Sequence, residues 1–449
     1  MSRSDAVAAL GTGPVGRLLW HNSVQTTLSV ASYGVYALTN AFFVSRWVGP
    51  VALASVNVAA PLLMLIGAVA TTVGAGGASV LSRALGAGDR RRAARATGTS
   101  LGTYWLLSAL LGIAGIVLLD PLVRVLGATG QVAQDAKSYA LVLLAGSITA
   151  TGFSSLVRAE GRMGYSTLEW IIPIITQIVL DPVLIIGFHL GVRGAALGTV
   201  GGQVVSAGMG FWFFLLQRGR PYVVSWRDLV PDLGLLKEIA AVGAPTFVAG
   251  LGVTVLSVVT NNLLAVTGGA VALSAYAIAA RIGTFVAMPQ LGITQAMQPI
   301  VGYNHGAGLG ERAHRAASLS LRVSVLYGAG AALVVALAAR LIAGTFTTDA
   351  ATAGAAATAL RTIALAYPFG GMVGLTAAWY QSRGYARGSF ILSVGTILVV
   401  KLPVLLAFAT LGIPRIWWAF PAGEALSALA AWWLWRRSVG DRSAARPAP

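Results

Sequence analysis

The sequence predicts an all-α integral membrane protein whose twelve transmembrane helices form two six-helix lobes related by a pseudo-two-fold axis along the membrane normal. Three observations support this prediction. Only 10% of the 449 residues are charged and the mean hydropathy is +0.77, whereas soluble proteins carry about 25% charged residues. Long apolar segments recur along the chain, and the two halves of the chain share a repeat. Most of the protein therefore lies in lipid.

The apolar segments are long enough to cross about 30 Å of hydrocarbon as helices. The segment from Ile239 to Ala280 has no Asp, Glu, Lys, Arg or His but is too long for one crossing, so we predict a break at Gly268–Gly269. With that break there are twelve predicted spans. They lie near residues 17–45, 52–82, 94–119, 134–157, 165–188, 194–217, 239–266, 271–301, 316–341, 356–382, 388–410 and 415–436.

The basic residues are distributed unevenly between the two sides of the membrane. A net charge of +17 is compatible with nucleic-acid binding, so the positions of the 31 Lys and Arg residues decide the question. With both termini in the cytoplasm, 21 of them fall in cytoplasmic segments and 6 on the opposite side, which is the positive-inside pattern. The charge thus indicates orientation in the plasma membrane with cytoplasmic termini, and no nucleic-acid partner. The absence of Cys excludes disulfides and thiolate chemistry.

The internal repeat divides the chain into two parallel halves. Residues 51–101 align with residues 271–321 without a gap, and 14 of the 51 positions are identical. Six spans separate equivalent positions, so both halves insert the same way up. We therefore predict an N-lobe at 1–217 (helices 1–6), a cytoplasmic interlobe linker at 218–238, a C-lobe at 239–437 (helices 7–12) and a polar tail at 438–449. Two such bundles around a central cleft are typical of an alternating-access transporter.

A few polar residues lie inside the predicted spans. Asp181 is well inside the fifth span and is followed by Pro182, which frees a carbonyl one turn earlier; an acid there costs a few kcal/mol unless it is protonated, paired or hydrated. We therefore expect a cation or proton site, the alternative being a satisfied core acid. Glu169, near a helix end, is expected to be interfacial. Lys401 and Glu424 are expected to form a structural ion pair.

A further set of polar residues lies in second-half spans. Each alone is expected to bond neighbouring helices, and together they are candidates for lining a cavity. They are Asn261, Asn262, Gln290, Gln295, Gln298, Tyr367, Tyr380 and Gln381.

Several motifs resemble the multidrug and toxic compound extrusion (MATE) family, in its DinF-like branch. The most specific is Gln298-Pro-Ile-Val-Gly-Tyr-Asn-His-Gly-Ala-Gly308, and a second runs from Leu180-Asp181-Pro182 to Gly191-Val-Arg-Gly-Ala-Ala196. The resemblance covers residues 16 to about 437. It implies a twelve-helix fold in two lobes and export of cationic or amphipathic small molecules in exchange for H⁺ or Na⁺. It implies no cofactor, and a monomer among membrane lipids.

The resemblance also implies a coupling site in the first lobe. Position by position, the family's polar network falls on Tyr36, Asn40, Gln177, Asp181 and Thr199. Asn40 replaces a carboxylate and Gln177 replaces a shorter amide. A site with one carboxylate has lost charge that would help to bind Na⁺, so we expect H⁺ coupling through Asp181, with Na⁺ as the less favoured ion.

Two other function classes were weighed. A flippase for lipid-linked saccharides or other lipids would need a cationic cavity, and only Arg281, Arg361 and Lys401 are available within the spans. A membrane-embedded enzyme would need a nucleophile and base, a metal-ligand pair or a phosphate-binding loop, and no such spacing occurs. Export of small molecules is therefore the leading hypothesis, and no catalytic residue is predicted.

Overall fold

The computed structural model describes residues 3–150, 152–217 and 219–440, and these residues form helices and connections without any strand. Of the predicted tail 438–449, residues 441–449 lie outside the described ranges. A short helix, Arg3–Thr12, precedes the long apolar ones.

The first half of the chain contains six long helices. They are α1 (Val15–Val48), α2 (Pro50–Gly86), α3 (Arg90–Val117), α4 (Gly130–Ala145 and Ser147–Ala159, bent by 51°), α5 (Met163–Gly187) and α6 (Gly191–Leu216). The last turns of α1, α5 and α6 are π-helical, at Val44–Val48, Val183–Gly187 and Trp212–Leu216. Such turns are uncommon in helices and often occur near functional sites.

The second half repeats this arrangement. One helical run, Leu233–Gly306, is broken at Gly269, whose φ of 60° and ψ of −155° are tolerated by glycine alone. The break falls where the sequence analysis predicted it. The helices are α7 (233–268), α8 (270–306), α9 (Gly310–Phe346), α10 (Ala350–Ala364 and Tyr367–Ser382, bent by 47°), α11 (Ala386–Ala409) and α12 (Ala419–Gly440). The predicted twelve-span fold is confirmed.

Large apolar side chains cover the outer faces of these helices. Met64 is 71% exposed, Leu337 76% and Val266 87%. Patches of this kind are rare on soluble monomers but are expected where the neighbour is lipid. The helices thus satisfy their own backbone groups and present hydrocarbon to the bilayer.

The chain divides into two compact units whose boundaries differ from the predicted lobes. One unit contains Arg3–Thr12 and Leu28–Gly243; the other contains Gly13–Thr27 and the chain from Ala244 onward. The first turns of α1 therefore belong to the second unit, and the first turns of α7 to the first. Hydropathy locates spans but does not report which helices pack together, so this division was not visible in the sequence.

The predicted interlobe linker packs on the first unit. Arg83 and Arg92 both pair with Glu238, at 2.9 and 2.8 Å, and Arg95 pairs with Asp232 at 2.8 Å. The pKa of Asp232 is lowered by the backbone N–H of Leu235, and also by Arg95. These ion pairs are partly exposed to water, so each contributes little to stability.

Candidate functional site

A row of glycines brings α5 and α6 into close contact. Gly194, Gly198 and Gly202 are spaced by four residues and lie on one face of α6. A Cβ at Gly202 would lie 2.7 Å from the Pro173 carbonyl oxygen, and one at Gly194 would lie 3.0 Å from the backbone of Leu184. Small residues at this spacing allow membrane helices to approach backbone to backbone.

Asp181 lies in this contact and is completely buried, with 0% exposure. Its Oδ2 accepts a hydrogen bond of 3.3 Å from Nε2 of Gln177, one turn earlier on α5. Its Oδ1 has no hydrogen-bond partner and lies against Gly198, where a Cβ would be 2.1 Å away. The buried carboxylate therefore has only neutral side chains beside it, which is costly for an ionised acid.

The other members of the predicted site lie on α1 and α6. Asn40 is buried beside the Asp181 carboxylate, and its own Nδ2 has no hydrogen-bond partner. Tyr36, one turn earlier, is partly exposed. Thr199 is buried, but its hydroxyl donates to the Ala195 carbonyl of its own helix at 3.1 Å. Asp181, Gln177 and Asn40 thus meet, whereas the Thr199 hydroxyl bonds within α6.

The chain changes its helical form directly after the carboxylate. Pro182 has no amide hydrogen, and the next five residues, Val183–Gly187, form a π-helical turn. Prolines in membrane helices are tolerated where local π adjustments satisfy the freed carbonyls. Asp181 therefore lies at the end of the regular part of α5.

Gly198 gives a test of how Asp181 is positioned. Gly198→Ala places a methyl group 2.1 Å from Oδ1 of Asp181, so we expect a destabilisation of about 1–3 kcal/mol and a loss of transport. The matched control is Gly208→Ala on the same helix, where a Cβ meets nothing within 4 Å and the added helix propensity is neutral or favourable. Thermal unfolding of the purified variants measures the difference. Equal melting temperatures would contradict the close contact.

Glu169 is not interfacial, so that expectation was wrong. It is 3% exposed and lies six residues after the start of α5, and neither of its carboxylate oxygens has a hydrogen-bond partner. Arg158 at the end of α4 is also buried, at 9% exposure. Position near a helix end suggested contact with water, but packing of α4 on α5 removes that contact. In the sequence, the nearby basic residue Arg158 was the signal that could have indicated a buried Glu169.

Several second-half polar residues bond neighbouring helices in the second unit. Gln298 donates to the Gln381 side chain at 2.9 Å, and Gln381 donates to Thr246 at 3.0 Å. Gln290 donates to the Tyr367 carbonyl at 2.9 Å, and the Tyr380 hydroxyl to the Leu434 carbonyl at 3.0 Å. These four residues bond helix to helix.

The remaining members of that set differ in exposure. Asn261 and Asn262 on α7 are exposed, Gln295 on α8 is partly exposed, and the buried Tyr367 hydroxyl has no hydrogen-bond partner. These four remain candidates for lining a cavity.

The basic residues within second-half spans have partners in most cases. Lys401 Nζ forms a salt bridge with Glu424, the pair expected from the sequence. Arg361 Nε donates to the Ala336 carbonyl at 3.3 Å, and both Arg361 and Arg281 are exposed. Two of the three cations considered for a flippase cavity are thus engaged within the second unit.

Comparison with known proteins identifies the family. The MatE family model matches residues 26–183 and 245–406. The Multidrug export protein MepA of Staphylococcus aureus (strain NCTC 8325 / PS 47) is 25% identical over 424 residues, 93% of each chain. An outward-facing multidrug resistance MATE family transporter of the MOP superfamily superposes with a TM-score of 0.89 at 25% identity, covering 96% of this chain and 97% of that one.

A MATE in the bent conformation also gives a TM-score of 0.89, at 26% identity over 97% of this chain and 98% of that one. The family model covers well over half of the chain, and the fold and the relatives agree with it. Members of this family are small-molecule transporters that need no cofactor, and they are not enzymes. The chain belongs to the MatE family and is a multi-pass multidrug efflux transporter.

Proposed function

We propose that this transporter exports cationic or amphipathic small molecules in exchange for H⁺, with Asp181 as the proton-binding group. The observation that carries the proposal is the fully buried Asp181 carboxylate with an unpartnered oxygen between Asn40 and Gln177. A proton needs one acceptor atom, whereas a hard cation needs several oxygens around it. Gln177 presents its N–H to the carboxylate, so H⁺ suits the site better than Na⁺.

The proposed mechanism is alternating access driven by the proton. Protonation removes the charge of Asp181 and so changes its interaction with Asn40 on α1. A different bend of α1 is then favoured, which releases the substrate outward. Gln177 holds the carboxylate from one turn earlier, and Tyr36 and Thr199 stay predicted members of the site. An ion drives such a change only by the difference in its affinity for the two conformations.

The proposed orientation rests on the charge distribution. We propose that both termini face the cytoplasm, because 21 of the 31 Lys and Arg residues then lie on the cytoplasmic side. The transporter would lie in the plasma membrane as a monomer surrounded by lipid. The DinF-like branch within the family stays a prediction.

Gradient-driven transport in proteoliposomes tests the proposed function. A concentration gradient of about tenfold stores about 1.4 kcal/mol per ion. We expect a proton gradient of that size to drive accumulation of a fluorescent cationic dye. An equal Na⁺ gradient should leave the dye at the level of protein-free liposomes, as should an anionic dye under either gradient. Transport driven by Na⁺ alone would refute proton coupling. Movement of a fluorescent lipid-linked saccharide without any gradient would favour the flippase.

A further inference from the structure

The Glu169 side chain is a second buried carboxylate in the first unit and is not explained by the site around Asp181. It is 3% exposed, and both Oε1 and Oε2 lack a hydrogen-bond partner among the described residues. The two acids lie on the same helix, twelve residues apart, which is about 18 Å along its axis. They are therefore separate sites.

Arg158 is the charged group that faces Glu169 from α4. Its guanidinium donates to three neutral hydroxyls, those of Ser155 at 3.0 Å, Ser166 at 3.2 Å and Ser154 at 3.3 Å. Glu169 is the acid that interacts electrostatically with Arg158. Arg158 is thus held by serines, and its neighbouring acid forms no salt bridge with it.

Among the residues that the structure describes, Arg158 is the cation that interacts with Glu169. On the same helix as Glu169, Tyr165 is the titratable group that interacts electrostatically with the Glu169 carboxylate. From α6, the Ser206 hydroxyl donates to the Glu169 backbone carbonyl at 3.3 Å. Arg158 and Tyr165 are thus the titratable groups that interact with the Glu169 carboxyl group.

The protonation state follows from this arrangement. An ionised carboxylate buried without any donor loses its hydration and gains nothing in return, whereas a neutral carboxylic acid loses much less. If the proton leaves, Arg158 can exchange its serine hydroxyls for the carboxylate, because a guanidinium binds a carboxylate more strongly than it binds hydroxyls. The buried carboxyl group without a donor in the structure therefore corresponds to the neutral acid.

We propose that Glu169 is a second proton-binding site of the first unit, with Arg158 as its counter-ion when the proton is released. The reaction is neutral Glu169 giving an ionised Glu169 paired with Arg158 and one proton released to water. Its role in transport rests on the proposed proton antiport. The first unit would then have two proton-binding acids, Asp181 and Glu169, although Asn40 replaces the other carboxylate of the family's polar network.

Infrared difference spectroscopy on the full chain in lipid nanodiscs tests this proposal without any transport. Between about pH 5 and about pH 9, a range that brackets buried carboxyl groups, the unaltered protein should show the carbonyl stretch of a neutral, non-hydrogen-bonded carboxyl group. The band should be absent in Glu169→Gln and retained in Asp181→Asn. Glu311→Gln, an exposed acid on α9, is the matched control and should leave it unchanged. Arg158→Gln should keep the band at the higher pH, because the counter-ion is gone.

A measurement on the unaltered chain guards against a Glu169→Gln variant that does not fold. Carbon-13 labelling of the glutamate carboxyl groups should shift the band, and labelling of aspartate should not. Retention of the glutamate-label-sensitive band in folded Glu169→Gln, or the absence of any such band from the unaltered protein, overturns the proposal; a band that shifts with the aspartate label belongs to Asp181. Because the spectra need no gradient, failure of the antiport hypothesis in the dye assay would leave this result standing, and the reverse also holds.

Discussion

Replacing Asp181 by Asn is expected to reduce proton-driven dye transport at least about tenfold, to near the level of protein-free liposomes. The amide has the same size and can still accept from Gln177, but it cannot take up a proton, so the gradient no longer distinguishes two conformations. Binding of the dye in the absence of a gradient should persist. The measurement is initial dye uptake under an imposed proton gradient.

The control for this variant makes the same chemical change where no coupling is expected. Asp89 is exposed and caps the start of α3, where its Oδ1 accepts from the Arg92 backbone N–H at 2.8 Å. Asn is an equally good capping residue, so Asp89→Asn should transport normally. Undiminished dye uptake by Asp181→Asn would contradict a coupling role of Asp181. A loss of both dye binding and transport would indicate misfolding instead.

Replacing Glu160 by Gln is expected to destabilise the protein by about 3–5 kcal/mol, because it leaves a buried guanidinium without its counter-ion. Glu160 lies at the end of α4 and pairs with Arg220 of the linker, and each side chain is only 3% exposed. The Tyr222 hydroxyl also donates to Glu160 and shares a 2.9 Å hydrogen bond with Thr97.

The surroundings of this cluster explain why the loss should be large. The Arg220 guanidinium lies 4.8 Å from the centre of the Phe214 ring and 4.5 Å from that of Tyr222, so water cannot replace the missing acid. Burial, and then the Glu160 charge, raise the pKa of the Tyr222 phenol well above its usual value, so this group remains a donor. The linker residues are thus anchored by one buried acid.

Thermal unfolding of the purified variants measures this effect. Glu238→Gln is the matched control, because its partners Arg83 and Arg92 are partly exposed and the expected loss is about 1 kcal/mol or less. The double variant Glu160→Gln with Arg220→Met should recover much of the loss, since no unpaired charge remains. Equal effects of Glu160→Gln and Glu238→Gln would contradict the burial of the pair.

The sequence predicted the spans well because hydropathy acts over whole segments. The break at Gly268–Gly269 was visible because no single crossing accommodates the uncharged run around it. The grouping of helices was not visible in the same way. Residues 13–27 belong to the second unit and the start of α7 to the first, and neither assignment changes a residue's hydropathy.

The site was predicted in part, for a related reason. Asp181 and Gln177 follow from spacing along one helix, and that spacing places them on one face. The Thr199 hydroxyl bonds to its own helix and Glu169 is buried rather than interfacial, and both outcomes depend on tertiary packing. Single-residue environments of this kind require the neighbouring helices to be known.

The single-glycine turn at Gly269 has a consequence for experiments on orientation. With α7 ending at residue 268 and α8 beginning at residue 270, almost no chain projects from the bilayer there. An inserted epitope tag, glycosylation acceptor or protease site would have to displace helical residues instead of extending a loop. Topology mapping by insertion at this connection would therefore report a false negative.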